Sequence, residues 1–263
     1  MTRATLRGGT ALAVILAWSL SLVGCRRDQP VAPPKRTLRV LVDESIERPI
    51  LSLVPEFRSE LPSVIVELES APSGVIAGRL RRGERADVVV LGDRRWTALL
   101  EAEGRIRTEQ VEAIGFDTLV AVVPVTSDVF LRSADDLADE RLQRIGIADP
   151  ASAPAGSIAQ GMLERTGLWD LVADRIVLHG GSEELVEAAL RGELDAALLF
   201  GSRAVGPLED RLRIVAAWPL ADPVYFAAPV VGSESAATAL AFVQRLAGPG
   251  FRSLLWHHGH PIE

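Results

Sequence analysis

The chain holds one cysteine, Cys25, among 263 residues. That excludes an internal disulfide framework and any cysteine-built metal site. Basic residues are also in deficit. The formal net charge is −7, which argues against nucleic acid as a partner, because phosphate contacts need clustered Lys and Arg. No phosphate-cradling Gly-rich loop with Lys, no G-x-S-x-G elbow and no H-E-x-x-H pair occurs, so the common hydrolase and nucleotide-binding signatures are missing. Internal repeats and low-complexity tracts are absent as well.

What is present begins with a leader. Arg3 and Arg7 open it, residues 11–20 are almost wholly apolar, and Leu22-Val23-Gly24 places small residues before Cys25. This reads as a secretory signal over residues 1–24, ending in a lipobox. The apolar run is too short to serve as a membrane span, which takes about 20 residues. Cys25 then stands where an exported chain is acylated, and its removal from redox chemistry explains its solitude. Residues 25–36 carry Pro30, Pro33 and Pro34 and read as an extended tether. The fold is expected from Thr37 onward, on a membrane-anchored, extracytoplasmic protein.

Two βα series follow. In the first, residues 38–42, 64–68 and 86–91 are short apolar or β-branched runs, as buried strands are. Helical spacing follows Ser45, a turn at Ala71-Pro72-Ser73-Gly74 leads into a short helix, and residues 96–103 are helical up to Gly104. Ser45 is a candidate N-cap, and Pro55 should kink the helix behind it. In the second series, strands are expected at residues 118–123, 145–148, 176–178 and 196–200, with helices after Pro154 and over 183–191. A late strand over 224–231 and helices over 234–246 and 251–257 close the chain. Alternating strands and helices predict α/β layers on mainly parallel sheets.

Four places repeat one design, a strand, a small-residue turn and a helix start: Ser45, Ser73, Ala155-Gly156 and Ser182. Helix N-termini present unpaired N–H groups and partial positive charge, so they favour anions, and a serine adds a hydroxyl donor. One such serine is ordinary capping. Four converging ends would make a site. His257, His258 and His260 gather near the C-terminus, but they lack a complete ligand set and read as a polar helix end. Trp96 and Trp169 read as packing residues. The run Arg79, Arg81, Arg82, Arg85 reads as a solvated face or a surface that meets a membrane partner.

Ala86-Asp87-Val88-Val89-Val90 with Trp96 after it, Asp149-Pro150 followed by Pro154-Ala155-Gly156, and Gly167-Leu168-Trp169-Asp170 occur in this order. The set resembles the molybdate-binding proteins of ABC importers over residues 38–259. The resemblance implies the two-lobed, type II periplasmic binding fold, each lobe a mixed, mainly parallel sheet flanked by helices. Lobe 1 would comprise residues 37–116 and 224–263, and lobe 2 residues 117–223, with crossings near 117–119 and 222–225. It implies a monomer that captures molybdate or tungstate in the cleft and delivers it to a membrane permease. It implies no catalysis and no cofactor, and no metal site beyond the metal oxyanion itself. A sensor or adaptor on the same fold, or an exported enzyme, are the alternatives.

Carried over by position, Ser45, Ser73, Ala155 and Ser182 would hold the ligand, with Phe200 where many members have a tyrosine. Phe200 lacks that hydroxyl, worth about 1.5–3 kcal/mol to a charged partner. Asp43 and Glu44 stand where the family has alanines. A carboxylate about 6 Å from a dianion costs on the order of 5 kcal/mol at an effective dielectric of ~20. A dianion site here therefore requires both carboxylates to point away, and if they point in, the cleft suits a different ligand.

Overall fold

The structure is a computed structural model that describes residues 36–131, 133–205, 208 and 210–261. The leader, Cys25 and the tether up to residue 35 lie outside the described residues. The fold opens with β1 (Arg36–Asp43), α1 (Glu47–Glu60), β2 (Val64–Ala71), α2 (Ser73–Arg81), β3 (Val88–Gly92), α3 (Arg94–Ala102) and β4 (Glu112–Gly115). It continues with β5 (Thr118–Pro124), β6 (Ile145–Ala148), α4 (Pro154–Arg165), the single turn α5 (Trp169–Val172), β7 (Ile176–His179), α6 (Ser182–Leu190), β8 (Ala196–Phe200) and β9 (Leu212–Pro219). It closes with β10 (Tyr225–Pro229), α7 (Ala236–Leu246) and α8 (Pro249–His257).

These strands form two five-stranded sheets, β2-β1-β3-β10-β4 and β7-β6-β8-β5-β9. Both are mixed in the same way. β1 runs parallel to β2 and β3, and β6 runs parallel to β7 and β8. The strand added next, β10 in one sheet and β5 in the other, is antiparallel, because it enters its sheet from the other lobe. The chain thus crosses between the sheets once after β4 and again after β9, in a two-lobed α/β architecture.

Strand burial explains which runs were readable. β3 and β8 are buried at every position, so both faces are apolar and the sequence shows continuous runs. In the first lobe α1, α7 and α8 pack on one face of the sheet through Ile50, Leu53, Phe57, Phe242 and Phe251. Phe57 and Phe242 meet edge to face with centroids 4.9 Å apart. α2 and α3 cover the other face through Ile76, Leu80 and Leu100. Ala155 and Phe200, although carried by α4 and β8, pack into the α1–α7–α8 cluster. The carboxyl ends of β1, β3, β6 and β8 therefore face one seam between the lobes, which is where open α/β sheets place ligands.

Candidate functional site

The seam is built first from the end of β1. Ser45 does not cap α1. That helix starts at Glu47 behind Ile46, with no side-chain cap. The reason is Asp43, whose Oδ1 accepts the Ser45 N–H at 3.0 Å while its carbonyl accepts the Ile46 N–H at 3.1 Å. This local turn leaves the Ser45 hydroxyl to face the other lobe. There it lies 3.3 Å from the Ser182 hydroxyl.

Ser73 is the first residue of α2 rather than part of the turn before it. Its N–H donates to Asp43 Oδ2 at 3.0 Å. Its hydroxyl makes a short hydrogen bond to the same oxygen and accepts the Gly92 N–H at 2.8 Å. Asp43 is completely buried. Burial raises its carboxyl above the ordinary value of 3.8, and the hydrogen bonds from Ser73 and Ser45 pull it back down.

Glu44 reaches across the seam. Its Oε1 accepts the N–H of Ser182, the first residue of α6, and the N–H of Glu183 at 3.3 Å. A Cβ on Gly181 would overlap that oxygen, so only glycine lets the carboxylate sit at this helix start. Burial, then repulsion from Asp43, raises the Glu44 carboxyl, and the two N–H groups and Arg203 oppose the rise. The condition that both carboxylates point away from the seam is not met: both point in. Physically, each helix start has N–H groups that need acceptors when buried, and the carboxylates provide them.

Ala155 is the second residue of α4 and fully buried. The helix docks against lobe 1 so closely that a Cβ on Gly92 would lie 2.6 Å from Pro154 Cγ. Further bonds stitch the lobes here. The Gly74 N–H donates to the Ser152 carbonyl at 2.7 Å, and the Ser157 hydroxyl to Asp93 Oδ2 at 2.8 Å. Asp93 is the one described non-glycine residue with positive φ, 66°. Strain of that kind costs on the order of 1–3 kcal/mol and collects at functional positions.

Phe200 is fully buried at the end of β8 and packs edge-on against Tyr225, centroids 5.9 Å apart. Tyr225 is the chain's single tyrosine. A phenol therefore does stand beside the expected position, delivered by β10 instead of β8. It donates to Asp117 Oδ2 at 3.0 Å. Burial, then the charge of Asp117, holds the phenol well above its ordinary range. Asp117 is itself buried and also accepts from the Ser202 hydroxyl at 2.6 Å and from the N–H groups of Thr118 and Ser202. His260 Nδ1 lies 3.2 Å from Asp117 without hydrogen-bond alignment. This cluster ties both crossing strands to the C-terminal segment.

The structure thus brings Ser45, Ser73, Ala155, Ser182 and Phe200 to one seam. Sequence reasoning missed Tyr225, Asp117, Ser202 and Arg203. The available signals were the lone tyrosine at a lobe crossing and a polar Ser-Arg pair one glycine after a fully apolar strand. The histidines go to three separate partners. His257 bonds the Ser253 carbonyl at 2.6 Å, His258 bonds Ser52 at 2.9 Å, and His260 faces Asp117. Among the described residues no group of His, Cys, Asp and Glu is arranged to hold a metal ion.

Comparison with known proteins agrees with this architecture. The Escherichia coli molybdate-binding protein is 23% identical over 236 residues, 86% of this chain and 89% of that protein. A putative ABC transporter substrate-binding lipoprotein of Bacillus subtilis is 22% identical over 74% of each chain. The periplasmic molybdate-binding protein of Azotobacter vinelandii superposes with a TM-score of 0.74 at 18% identity, covering 85% of this chain and 98% of that one. Residues 38–260 match the family model for bacterial extracellular solute-binding proteins, and the chain belongs to that family.

Proposed function

We propose that this chain is a lipid-anchored extracytoplasmic protein that captures molybdate or tungstate between its lobes and passes it to an ABC importer. Lobe 1 is residues 37–116 with 224–263, and lobe 2 is residues 117–223. The supporting observation is the chemistry of the seam. The N–H groups of Ser45, Ser73 and Ser182 and the Ser73 hydroxyl each hold a carboxylate oxygen. A tetrahedral oxyanion offers the same kind of acceptor to the same donors. Capture is then an exchange, in which the solute takes places that Glu44 and Asp43 occupy in the closed protein. No covalent step is involved.

A second reading has its own observation. Asp43 is wholly buried on three donors, and a carboxylate so held is costly to move. If both carboxylates stay, the cleft takes a cationic or neutral solute. Calorimetric titration of the detergent-solubilised protein with tungstate, molybdate, sulfate and phosphate separates the two. Saturable heat with tungstate and molybdate supports oxyanion capture. No heat with any of the four leaves the second reading. Anchoring is tested separately: Cys25→Ala should leave unprocessed precursor and no lipid-modified mature form.

A further inference from the structure

Arg203 ends the short helical turn Gly201–Arg203 that follows β8 and is only 3% exposed. An arginine so deeply buried normally has its whole guanidinium engaged. This one does not. Its Nη2 is paired with Glu183, while its Nε meets no hydrogen-bond partner among the described residues. The Glu183 side chain is 57% exposed, so water weakens that partner's compensation of the buried charge.

The backbone of the same residue bears on the seam. The Glu183 N–H, with that of Ser182, holds the Glu44 carboxylate. The positive charge of Arg203 reaches that carboxylate and favours its ionised form. The N-terminus of α6 therefore has a cation behind it, and an anionic oxygen seated there interacts with both. Ser202, its neighbour, already anchors this turn to Asp117.

We infer that Arg203 is a solute-binding residue that selects for doubly charged oxyanions, with the Glu44 carboxylate holding the solute's place between captures. The inference rests on the oxyanion reading above. When the solute displaces Glu44, it arrives where the helix start and the charge of Arg203 act together. Neutral donors carry only partial charges, so they separate one- and two-charge oxyanions weakly. A cation adds an attraction that scales with the charge of the solute.

The test compares tungstate with perrhenate, tetrahedral oxyanions of similar size carrying two charges and one. The full-length protein, Arg203→Gln, Glu183→Gln and Glu44→Gln are titrated with both, and the ratio of the two dissociation constants is read. The unmodified protein should prefer tungstate, and Arg203→Gln should cut that preference about tenfold or more. A merely structural role for Arg203 would weaken both anions equally and leave the ratio unchanged. Glu183→Gln, at an exposed side chain, removes the competing carboxylate and should raise the ratio, which decides the matter if Arg203→Gln does not fold. Glu44→Gln should tighten tungstate about tenfold. Oxyanion binding with a ratio unmoved by either Arg203→Gln or Glu183→Gln overturns the role of Arg203 alone. Absence of tungstate binding in both the unmodified protein and Glu44→Gln overturns the oxyanion reading and this inference together.

Discussion

Replacing Ser73 by alanine should injure the fold and not only the site. On the family pattern alone, the Ser73 hydroxyl is a ligand donor whose loss leaves stability nearly unchanged. In the structure that hydroxyl is already engaged twice, donating to Asp43 and accepting from the Gly92 N–H. A hydrogen bond to a charged group contributes about 1.5–3 kcal/mol and a neutral one about 0.5–1.5 kcal/mol. Ser73→Ala should therefore cost about 2–4 kcal/mol, since both partners stay buried and neither gains water. At about 2–4 °C per kcal/mol for a chain of this size, the melting temperature should fall by about 5–15 °C. The loss should also depend on pH. Asp43 is held above its ordinary 3.8 by burial, with the Ser73 hydroxyl the largest influence pulling it down. A carboxyl raised in the folded state favours folding below its unfolded value and loses that contribution as pH rises through its folded value. Without the hydroxyl the folded value climbs further, so the variant should lose more stability than the unmodified protein does when the pH is raised from about 4 to about 7. Urea unfolding at both pH values measures this. A loss under about 0.5 kcal/mol at either pH would refute the reasoning.

Tyr225→Phe should cost about 1.5–3 kcal/mol by removing the bond to Asp117, measured by urea unfolding against Ser45→Ala, whose hydroxyl contact at 3.3 Å should contribute under about 1 kcal/mol. Because Tyr225 is the single tyrosine and its phenol is held above 10, the ultraviolet tyrosinate band should appear on raising the pH only as the fold is lost. Tyrosinate forming near pH 10 in protein that keeps its native circular dichroism would count against a buried phenol. Gly181→Ala should expel the Glu44 carboxylate from the start of α6 and speed amide exchange at Ser182 and Glu183, and unchanged protection there would mean that Glu44 does not hold these groups. Gly92→Ala places a Cβ against the Pro154 ring, so X-ray scattering should report a larger radius of gyration than for the unmodified protein.

The elements that sequence reading found are those whose physics is local. β3 and β8 are apolar on both faces, and α4 begins at a proline that fits the first turn of a helix. β4 and β9 were not found. β4 spans four residues, and β9, at the rim of its sheet, is buried only at Leu212 and otherwise mixes half-buried and exposed positions, so neither gives a continuous run. The convergence of Ser45, Ser73, Ala155, Ser182 and Phe200 was legible through family likeness, because each stands beside a strand end. The orientation of Asp43 and Glu44 was not. It depends on which acceptors reach buried N–H groups of α2 and α6 once the lobes meet, and those groups lie 30 and 138 residues away in sequence.

Those two carboxylates change how the seam should be understood. A cleft lined only by neutral donors is left with unpaired N–H groups when it closes empty, which opposes closure. Here the chain carries its own acceptors, so the lobes can meet with the N–H groups of Ser45, Ser73, Ser182 and Glu183 satisfied from within. Closure without solute then costs little, and a solute gains only the difference between its own bonds and those of Glu44 and Asp43. Such exchange lowers affinity for every anion by the same factor, because the internal carboxylate competes equally with all of them. The exchange weakens binding without choosing among anions, so discrimination by charge has to come from another group. That makes the buried cation behind α6, more than the number of donors, the feature on which solute choice should depend.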